Sequence, residues 1–167
     1  MRFLVFSDSH GQDFFMLRAL RLNPDIRHIL FLGDGLSDVA RLAVRYPDLH
    51  IRAVRGNMDA LSLDTHAVEE EELFSVFGVT VLLMHGHRYG VKGGLGTAKG
   101  HALHRGAQVL LYGHTHVAYS HYDGENGLYT FNPGSIGHPY AGEPSFGILD
   151  VLPNGQVSLS HGNIPHQ

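Results

Sequence analysis

The chain has 167 residues, of which 43% are hydrophobic and 17% are charged, and its formal net charge is −4. That length suits one domain, and we expect residues 1–167 to form it. The composition is typical of a globular protein rather than a disordered one. The chain has no cysteine, which excludes disulfides, thiolate zinc sites and thiol nucleophiles. Its negative charge argues against a sequence-independent grip on a nucleic-acid backbone.

Two further features of the sequence concern its location. The longest apolar stretches hold about six residues, far fewer than the roughly 20 that cross a bilayer. Met1 and Arg2 lead straight into a predicted strand with no signal-type apolar segment, so we expect the mature chain to begin at residue 1. The lack of cysteine fits a reducing compartment. We therefore predict a cytoplasmic protein that does not act at a membrane.

In the first half of the chain, predicted strands alternate with predicted helices. The elements are, in chain order, strand 2–7, helix 13–22, strand 28–32, helix 37–46 and strand 50–54. Pro24 and Pro47 follow the two helices, as expected of a residue that cannot continue a helix. The spacing of Val39, Ala40 and Ala43 predicts that they lie on one face of the second helix. Such alternation is typical of βαβ units and a mainly parallel sheet.

The second half is richer in strands and turns. The predicted strands are 74–77, 79–84, 109–112, 118–122, 128–132, 146–152 and 157–160, and a helix follows the glycine-rich segment 89–100 and ends at Arg105. We expect the acidic run 69–72 to be solvated, and His101 and His104 as well. Together the two halves predict a mixed α/β (α+β) fold of two packed sheets with helices outside.

Five predicted strands run into residues of the types that bind metal ions. Residues two apart on an extended chain project the same way, which suits both Asp-x-His and His-x-His. Neutral imidazole is the commonest metal ligand, and an ionised Asp can bridge two ions. In chain order the groups are Asp8-x-His10, Gly33-Asp34, Gly56-Asn57, His85 and Gly113-His114-x-His116. Taken singly, each has an ordinary alternative, such as a helix cap or a turn; together they predict a metal site.

This ordered set resembles that of the calcineurin-like metallophosphoesterases, which carry D-x-H, G-D, G-N, H and G-H-x-H in the same order. The resemblance is greatest to the small YfcE-like phosphodiesterases and extends to Arg55-Gly56-Asn57, His85-Gly86-His87 and residues 132–135. It implies a four-layer α-β-β-α sandwich of two mixed sheets with flanking helices. It further implies one metal ion held by Asp8, His10 and His116, and another held by Asn57, His85 and His114, with Asp34 bridging the two.

The same resemblance implies a metal-dependent phosphodiesterase that hydrolyses a small phosphodiester at a dinuclear centre. A metal-bound hydroxide would be the nucleophile, with Asp34, Asn57 and His85 as the catalytic ligands. The donor set suits Mn best, with Fe, Ni or Zn as alternatives. Met58 stands where larger phosphatases have a histidine, and the small phosphodiesterases also lack that histidine. The proton donor for the leaving group is therefore unassigned.

Several roles stay open at this stage. His87 and Arg55 are candidates for phosphate binding, and Asp59 either orients a ligand or caps a turn. Residues 132–135 form either a structural turn near the site or a substrate contact. The alternative functions are a phosphomonoesterase and a catalytically weak binding scaffold, as in the retromer subunit that resembles this family. We expect a small phosphoester as substrate, not polymeric nucleic acid, and leave homo-oligomerisation open.

Overall fold

The computed structural model describes residues 1–59 and 67–165, which form two five-stranded mixed sheets. The strands of the first sheet are β1 (Arg2–Phe6), β2 (His28–Phe31), β3 (His50–Ala53), β9 (Ser145–Val151) and β10 (Val157–Asn163). Their order is β10-β9-β1-β2-β3. β1, β2 and β3 run parallel, whereas β9 is antiparallel to both β1 and β10. The crossovers are α1 (Asp13–Leu22) and α2 (Leu36–Arg45), as the strand–helix alternation predicts.

The second sheet consists of β4 (Glu71–Val76), β5 (Val79–Met84), β6 (Val109–Leu111), β7 (Ala118–Asp123) and β8 (Leu128–Pro133). Its order is β4-β5-β6-β8-β7, with β5, β6 and β8 parallel. A 3-10 turn (His87–Tyr89) and α3 (Gly96–His104) connect β5 to β6. Both sheets therefore contain parallel strands, and their carboxyl ends are where ligand loops leave a buried core.

The core divides the molecule into four layers. The inner faces of the two sheets meet in one apolar cluster that includes Val5, Leu30 and Phe131. α1 and α2 cover the outer face of the first sheet, and Met16 is fully buried there. α3 covers the second sheet with small residues such as Ala98. Burying a large apolar side chain contributes about 1.5–3 kcal/mol, so these three clusters carry most of the stability. The predicted α-β-β-α sandwich is confirmed.

The three residues predicted to share one face of α2 differ in burial. Leu36, Val39 and Leu42 are buried, whereas Ala40 and Ala43 are exposed. The face follows the larger side chains because they remove more apolar surface from water. Asp38 is also fully buried on this helix, which the apolar pattern does not indicate.

The prediction that the acidic run 69–72, His101 and His104 are solvated is wrong for Glu71 and His101, which are half-buried and bonded to each other, whereas Glu69 and His104 are exposed as predicted. β4 begins at Glu71 rather than at residue 74, so the run lies beside α3 and the 3-10 turn. The Glu71 carboxylate accepts hydrogen bonds from the Tyr89 hydroxyl at 2.7 Å and from His101 Nε2 at 2.9 Å. Glu70 is likewise paired, with Arg55. Strand pairing brought these partners together, which local sequence does not show.

No helix among the described residues is long and apolar enough to cross a membrane. That residues 1–167 form a single domain, and that the protein is cytoplasmic, stay predictions.

Candidate metal centre

The loops that follow β1, β2, β5 and β6 bring six predicted ligands together at the carboxyl ends of the strands. They form two groups, each with ligand atoms within 4.8 Å of one another: Asp8, His10 and His116 in one, and Asp34, His85 and His114 in the other. Each group combines one carboxylate with two imidazoles. This donor set suits a divalent transition metal better than Ca²⁺ or Mg²⁺, which favour oxygen ligands.

Two carboxylates lie between the groups. Asp34 Oδ2 is 3.3 Å from His85 Nε2 and 3.8 Å from His10 Nε2, so one oxygen faces a histidine of each group. Asp8 Oδ1 is 3.2 Å from His116 Nε2 and 3.8 Å from His85 Nε2. Asp34 therefore has the position that a bridging ligand needs. Asp8 also faces both groups, which the sequence does not indicate.

The strongest indication that a cation fits here is an unpaired oxygen. Asp8 is fully buried, and its Oδ2 accepts hydrogen bonds from the Ser7 hydroxyl at 2.5 Å and from the His114 backbone N–H at 3.0 Å. Its Oδ1 is buried with no hydrogen-bond partner among the described residues. An unsatisfied buried carboxylate oxygen is costly, and a cation between it and the facing imidazole nitrogens would satisfy both.

The histidine rings are held so that nitrogen lone pairs face the centre. His85 Nδ1 lies 2.7 Å from the Leu32 carbonyl and His116 Nδ1 lies 2.5 Å from the His138 carbonyl, so both Nδ1 atoms donate. Their Nε2 atoms are then free to bind a metal. In His114 it is Nδ1, not Nε2, that faces another ligand, and this atom lies 3.2 Å from His85 Nε2. Two such nitrogens cannot stay this close without a proton or a cation between them.

The ionisation states also suit metal binding. Burial alone would raise the pKa of Asp8 and of Asp34, but the neighbouring imidazoles outweigh it and hold both pKa values below the usual range. Burial, with His85 and Lys92 nearby, lowers the pKa of His114 to about 4, so its ring is neutral at pH 7. Ionised Asp and neutral His are the forms that bind metals.

Protons compete with a cation at the remaining histidines. Burial lowers the pKa of His85, but the hydrogen bond to Asp34 and the negative charges of Asp8 and Asp34 together outweigh burial, and the net direction is upward. The pKa of His116 is raised chiefly by its interaction with Asp8. A raised pKa means that these rings attract positive charge, either a proton or a metal ion.

Backbone strain is concentrated in the ligand loops. Six non-glycine residues among the described ones have positive φ, and five are predicted ligands: Asp8 (55°), His10 (45°), Asp34 (59°), His114 (68°) and His116 (58°). This left-handed conformation costs about 1–2 kcal/mol per residue, so the surrounding structure must hold it. The backbone at both motifs is therefore left-handed and not extended as predicted: Asp8 and His10 reach one ligand group, whereas His114 and His116 reach different groups.

Glycines allow these loops to approach one another. A Cβ at Gly56 would lie 2.1 Å from Asp34 Oδ1, and a Cβ at Gly113 would lie 2.0 Å from Ser7 Oγ. Both distances are far below van der Waals contact, so neither loop could pack as it does with a side chain present. The glycines at positions 56 and 113 therefore allow the close approach of neighbouring loops.

The remaining predicted site residues occupy different surroundings. Asn57 is exposed, and no hydrogen bond within the described part of the chain joins its amide to the other ligands. It follows Gly56, in the same loop as Met58, whose N–H donates to Asp34 Oδ1 at 2.8 Å.

The His87 ring lies 5.5 Å from the His85 ring, centroid to centroid. Burial and the neighbouring His85 lower the pKa of His87.

Arg55 and Asp59 are both engaged by neighbouring groups. Arg55 Nη2 donates to Glu70 Oε1 at 3.0 Å, so its charge is already paired beside the site. Asp59 Oδ2 accepts from the N–H groups of Asp34 at 2.7 Å and Gly56 at 2.9 Å. Asp59 Oδ1 accepts from the first N–H groups of α2. It thus joins the loops of Asp34 and Asn57 and also caps a helix.

Sequence reasoning missed how firmly residues 132–135 hold the site. The Asn132 amide donates to the Gly113 carbonyl and to Thr115 Oγ1, both at 3.0 Å, on either side of His114. The Ser135 hydroxyl donates to the Asp8 carbonyl at 2.7 Å. Both residues are fully buried, so these polar side chains act as fixed supports for two ligand loops. The Asn-Pro-Gly-Ser string was the only signal for them.

Comparisons with known proteins agree with this geometry. The sequence profile of the calcineurin-like phosphoesterase superfamily domain matches residues 1–153. The "Probable metallophosphoesterase YsnB" of Bacillus subtilis is 32% identical over 141 residues, which cover 83% of this chain and 77% of the relative. The "Phosphodiesterase YfcE" of Escherichia coli is 29% identical, with 90% and 88% covered. The crystal structure of zinc-bound Vps29 from Entamoeba histolytica has the same fold, with a TM-score of 0.73, 23% identity and 98% and 99% covered.

Proposed function

Because the chain belongs to the calcineurin-like phosphoesterase superfamily, we propose that it is a metal-dependent phosphodiesterase that hydrolyses a small phosphodiester at a dinuclear centre. The observation that supports this best is Asp8 Oδ1, a buried carboxylate oxygen with no hydrogen bond that faces imidazole nitrogens of both ligand groups. Such an oxygen is expected where a cation completes the site.

In this proposal one ion is held by Asp8, His10 and His116. The other is held by His85, His114 and the amide oxygen of Asn57, and Asp34 is shared between them. Mn is the first candidate, with Fe, Ni or Zn as alternatives, because each accepts imidazole and carboxylate ligands. When bound, the two ions supply an activated water and neutralise charge on the phosphoryl oxygens.

The residues around the ions would bind and orient the substrate. A cavity of about 410 Å³ opens beside His87 and is lined by Arg55, Glu70, Arg88 and Tyr89, among others. Arg55 and Arg88 both pair with Glu70 there, and Glu69 and Glu71 also line the cavity, so its wall is polar with charges of both signs. Such a wall suits a polar group of the substrate. We propose that His87 contacts the phosphate and that Arg55 acts through Glu70 and the shape of this cavity.

Met58 limits what leaving groups can depart. Its side chain is half exposed, at 50%, at the position where larger phosphatases have a histidine. A thioether cannot donate a proton, so departure of the leaving oxygen relies on the metals, on water or on a less ideally placed group such as His87. The protein should therefore favour diesters whose leaving alcohols are acidic.

The test is hydrolysis of bis(p-nitrophenyl) phosphate by protein stripped of metal and then supplied with Mn²⁺. Activity should return with metal and fall at least about 100-fold in Asp34→Asn, since even outer partners of a metal contribute about 10–100-fold. Asp48→Asn, the same change at an exposed residue, should keep activity. Faster hydrolysis of p-nitrophenyl phosphate would make the protein a monoesterase. Two bound ions without turnover of any ester would favour the binding scaffold.

A further inference from the structure

Asp38 is an acidic residue with no place in the amphipathic pattern of α2, yet it is fully buried. It lies in the first turn of the helix and faces the loop that leaves β1. Its Oδ2 accepts hydrogen bonds from the Ser9 hydroxyl at 2.5 Å and from the Gly11 backbone N–H at 2.8 Å. Its Oδ1 pairs with Arg41. A buried carboxylate is retained only where its partners satisfy it, and here two of the three lie in the loop after β1.

Those two partners are the residues on either side of His10. One carboxylate oxygen thus binds the chain immediately before and immediately after a predicted ligand whose own φ is 45°. Because this one oxygen accepts hydrogen bonds from both sides of His10, the contact opposes relaxation of the strained residue toward ordinary φ values. The backbone of His10 is further held by a hydrogen bond from its N–H to the Asp34 carbonyl at 3.1 Å.

His10 depends on these Asp38 contacts more than His85 and His116 do. The rings of His85 and His116 are each fixed by an Nδ1 hydrogen bond to a backbone carbonyl. Within the described residues, the only hydrogen-bond partner of the His10 ring is His116 Nε2, at 3.3 Å, which is itself a predicted ligand. The ring of His10 also packs edge-on against the His138 ring, at 5.6 Å between centroids, but no backbone carbonyl fixes it, so its direction depends on the backbone of its loop.

Close packing around Ser9 restricts movement of the loop that contains His10. A Cβ at Gly35 would lie 1.9 Å from Ser9 Oγ, and one at Gly137 would lie 2.0 Å from the Ser9 carbonyl oxygen. Ser9 thus occupies a slot between two glycine backbones and keeps its hydroxyl on Asp38. Arg41, which pairs with Asp38, also donates to Asp13 Oδ2 at 3.1 Å, at the start of α1. The chain of contacts joins both helix N-termini to His10.

We propose that Asp38 is a positioning residue that sets the affinity of the ion held by Asp8, His10 and His116 without touching it. The inference rests on the proposed function and extends it to one half of the site. Asp38 holds the His10 loop, whereas Asp59 holds the loops of Asp34 and Asn57. Loss of Asp38 should therefore weaken one ion selectively and leave the other in place.

The test is a titration of metal-free protein with Co²⁺, followed by visible absorption and by the metal content after desalting. The wild type should bind two equivalents. Asp38→Asn should raise the Kd of one Co²⁺ ion about 10–100-fold, the range for outer partners of metal ligands. The Kd of the other ion should change less than about threefold. The spectrum of the ion that remains should match that of His10→Ala. Asp48→Asn is the matched control and should titrate like the wild type.

Ser9→Ala tests the same contact with a smaller change, and it decides the matter if Asp38→Asn does not fold. Ser9→Ala removes the hydroxyl donor to Asp38 and keeps the Gly11 N–H donor. The Kd of the same Co²⁺ ion should therefore rise about threefold to tenfold. Thermal unfolding of the metal-free variants separates positioning from general loss of structure. Equal weakening of both steps, or unchanged binding in a folded variant, would overturn the inference. A wild type that does not bind two ions would instead overturn the proposed function.

Discussion

Replacing Asp59 by Asn tests whether the hydrogen bonds between ligand loops hold the fold together. The Asp59 side chain is buried and accepts from four backbone N–H groups, those of Asp34, Gly35, Leu36 and Gly56. An amide of the same shape keeps one oxygen but turns an NH₂ group toward two of these donors. Two buried N–H groups then lose their acceptor.

The expected magnitude follows from these contacts. Each unsatisfied buried donor costs about 1–3 kcal/mol, so Asp59→Asn should lower the free energy of unfolding by about 2–6 kcal/mol. In a chain of this size 1 kcal/mol corresponds to about 2–4 °C, and the Tm should fall by about 5–20 °C. The measurement is thermal unfolding of metal-free protein followed by circular dichroism. Asp48→Asn, at an exposed site, should change the Tm by no more than about 2 °C.

A fall of less than about 2 °C in Asp59→Asn would refute this reasoning, because it would mean that the four donors find other acceptors at little cost. A large fall that vanished when Mn²⁺ was added would instead locate the role of Asp59 in the metal-free state alone.

The remaining predictions concern packing, pH and the leaving group. Gly113→Ala places a Cβ 2.0 Å from Ser7 Oγ and should lower the free energy of unfolding by about 1–3 kcal/mol, measured by urea unfolding. An unchanged urea midpoint would contradict the close approach of the two loops. The raised pKa values of His85 and His116 mean that each must release a proton to bind metal; Co²⁺ affinity should therefore fall as the pH drops from about 8 to about 5.5, and a flat profile would contradict this assignment. Hydrolysis rates should fall steeply as the pKa of the leaving alcohol rises, and Met58→His should flatten that dependence if its ring reaches the leaving oxygen. A flat wild-type series with chemistry rate-limiting would reveal a proton donor elsewhere.

The sequence by itself determined the fold class and the composition of the site. Strand periodicity is local, so β5 begins and ends where the pattern predicts, at Val79 and Met84. Ligand types at strand ends are equally local, because a parallel sheet places successive carboxyl ends at one edge. The ordered motifs were therefore enough to predict which residues gather at this edge, and the structure brings six of the seven together. Asn57 is exposed in the neighbouring loop, and metal binding by all seven residues stays a prediction.

Only the tertiary structure decided what holds those ligands in place. Asp38 contacts a loop 29 residues earlier in the chain, and Ser135 contacts Asp8 across 127 residues. Contacts of this kind have no period and no fixed spacing, so a buried Asp on a helix reads as an ordinary exposed one. The pairing of Glu71 with His101 was hidden for the same reason. Ligand identity depends on residue type and order, whereas ligand orientation depends on buried polar contacts that form only when distant segments of the chain meet.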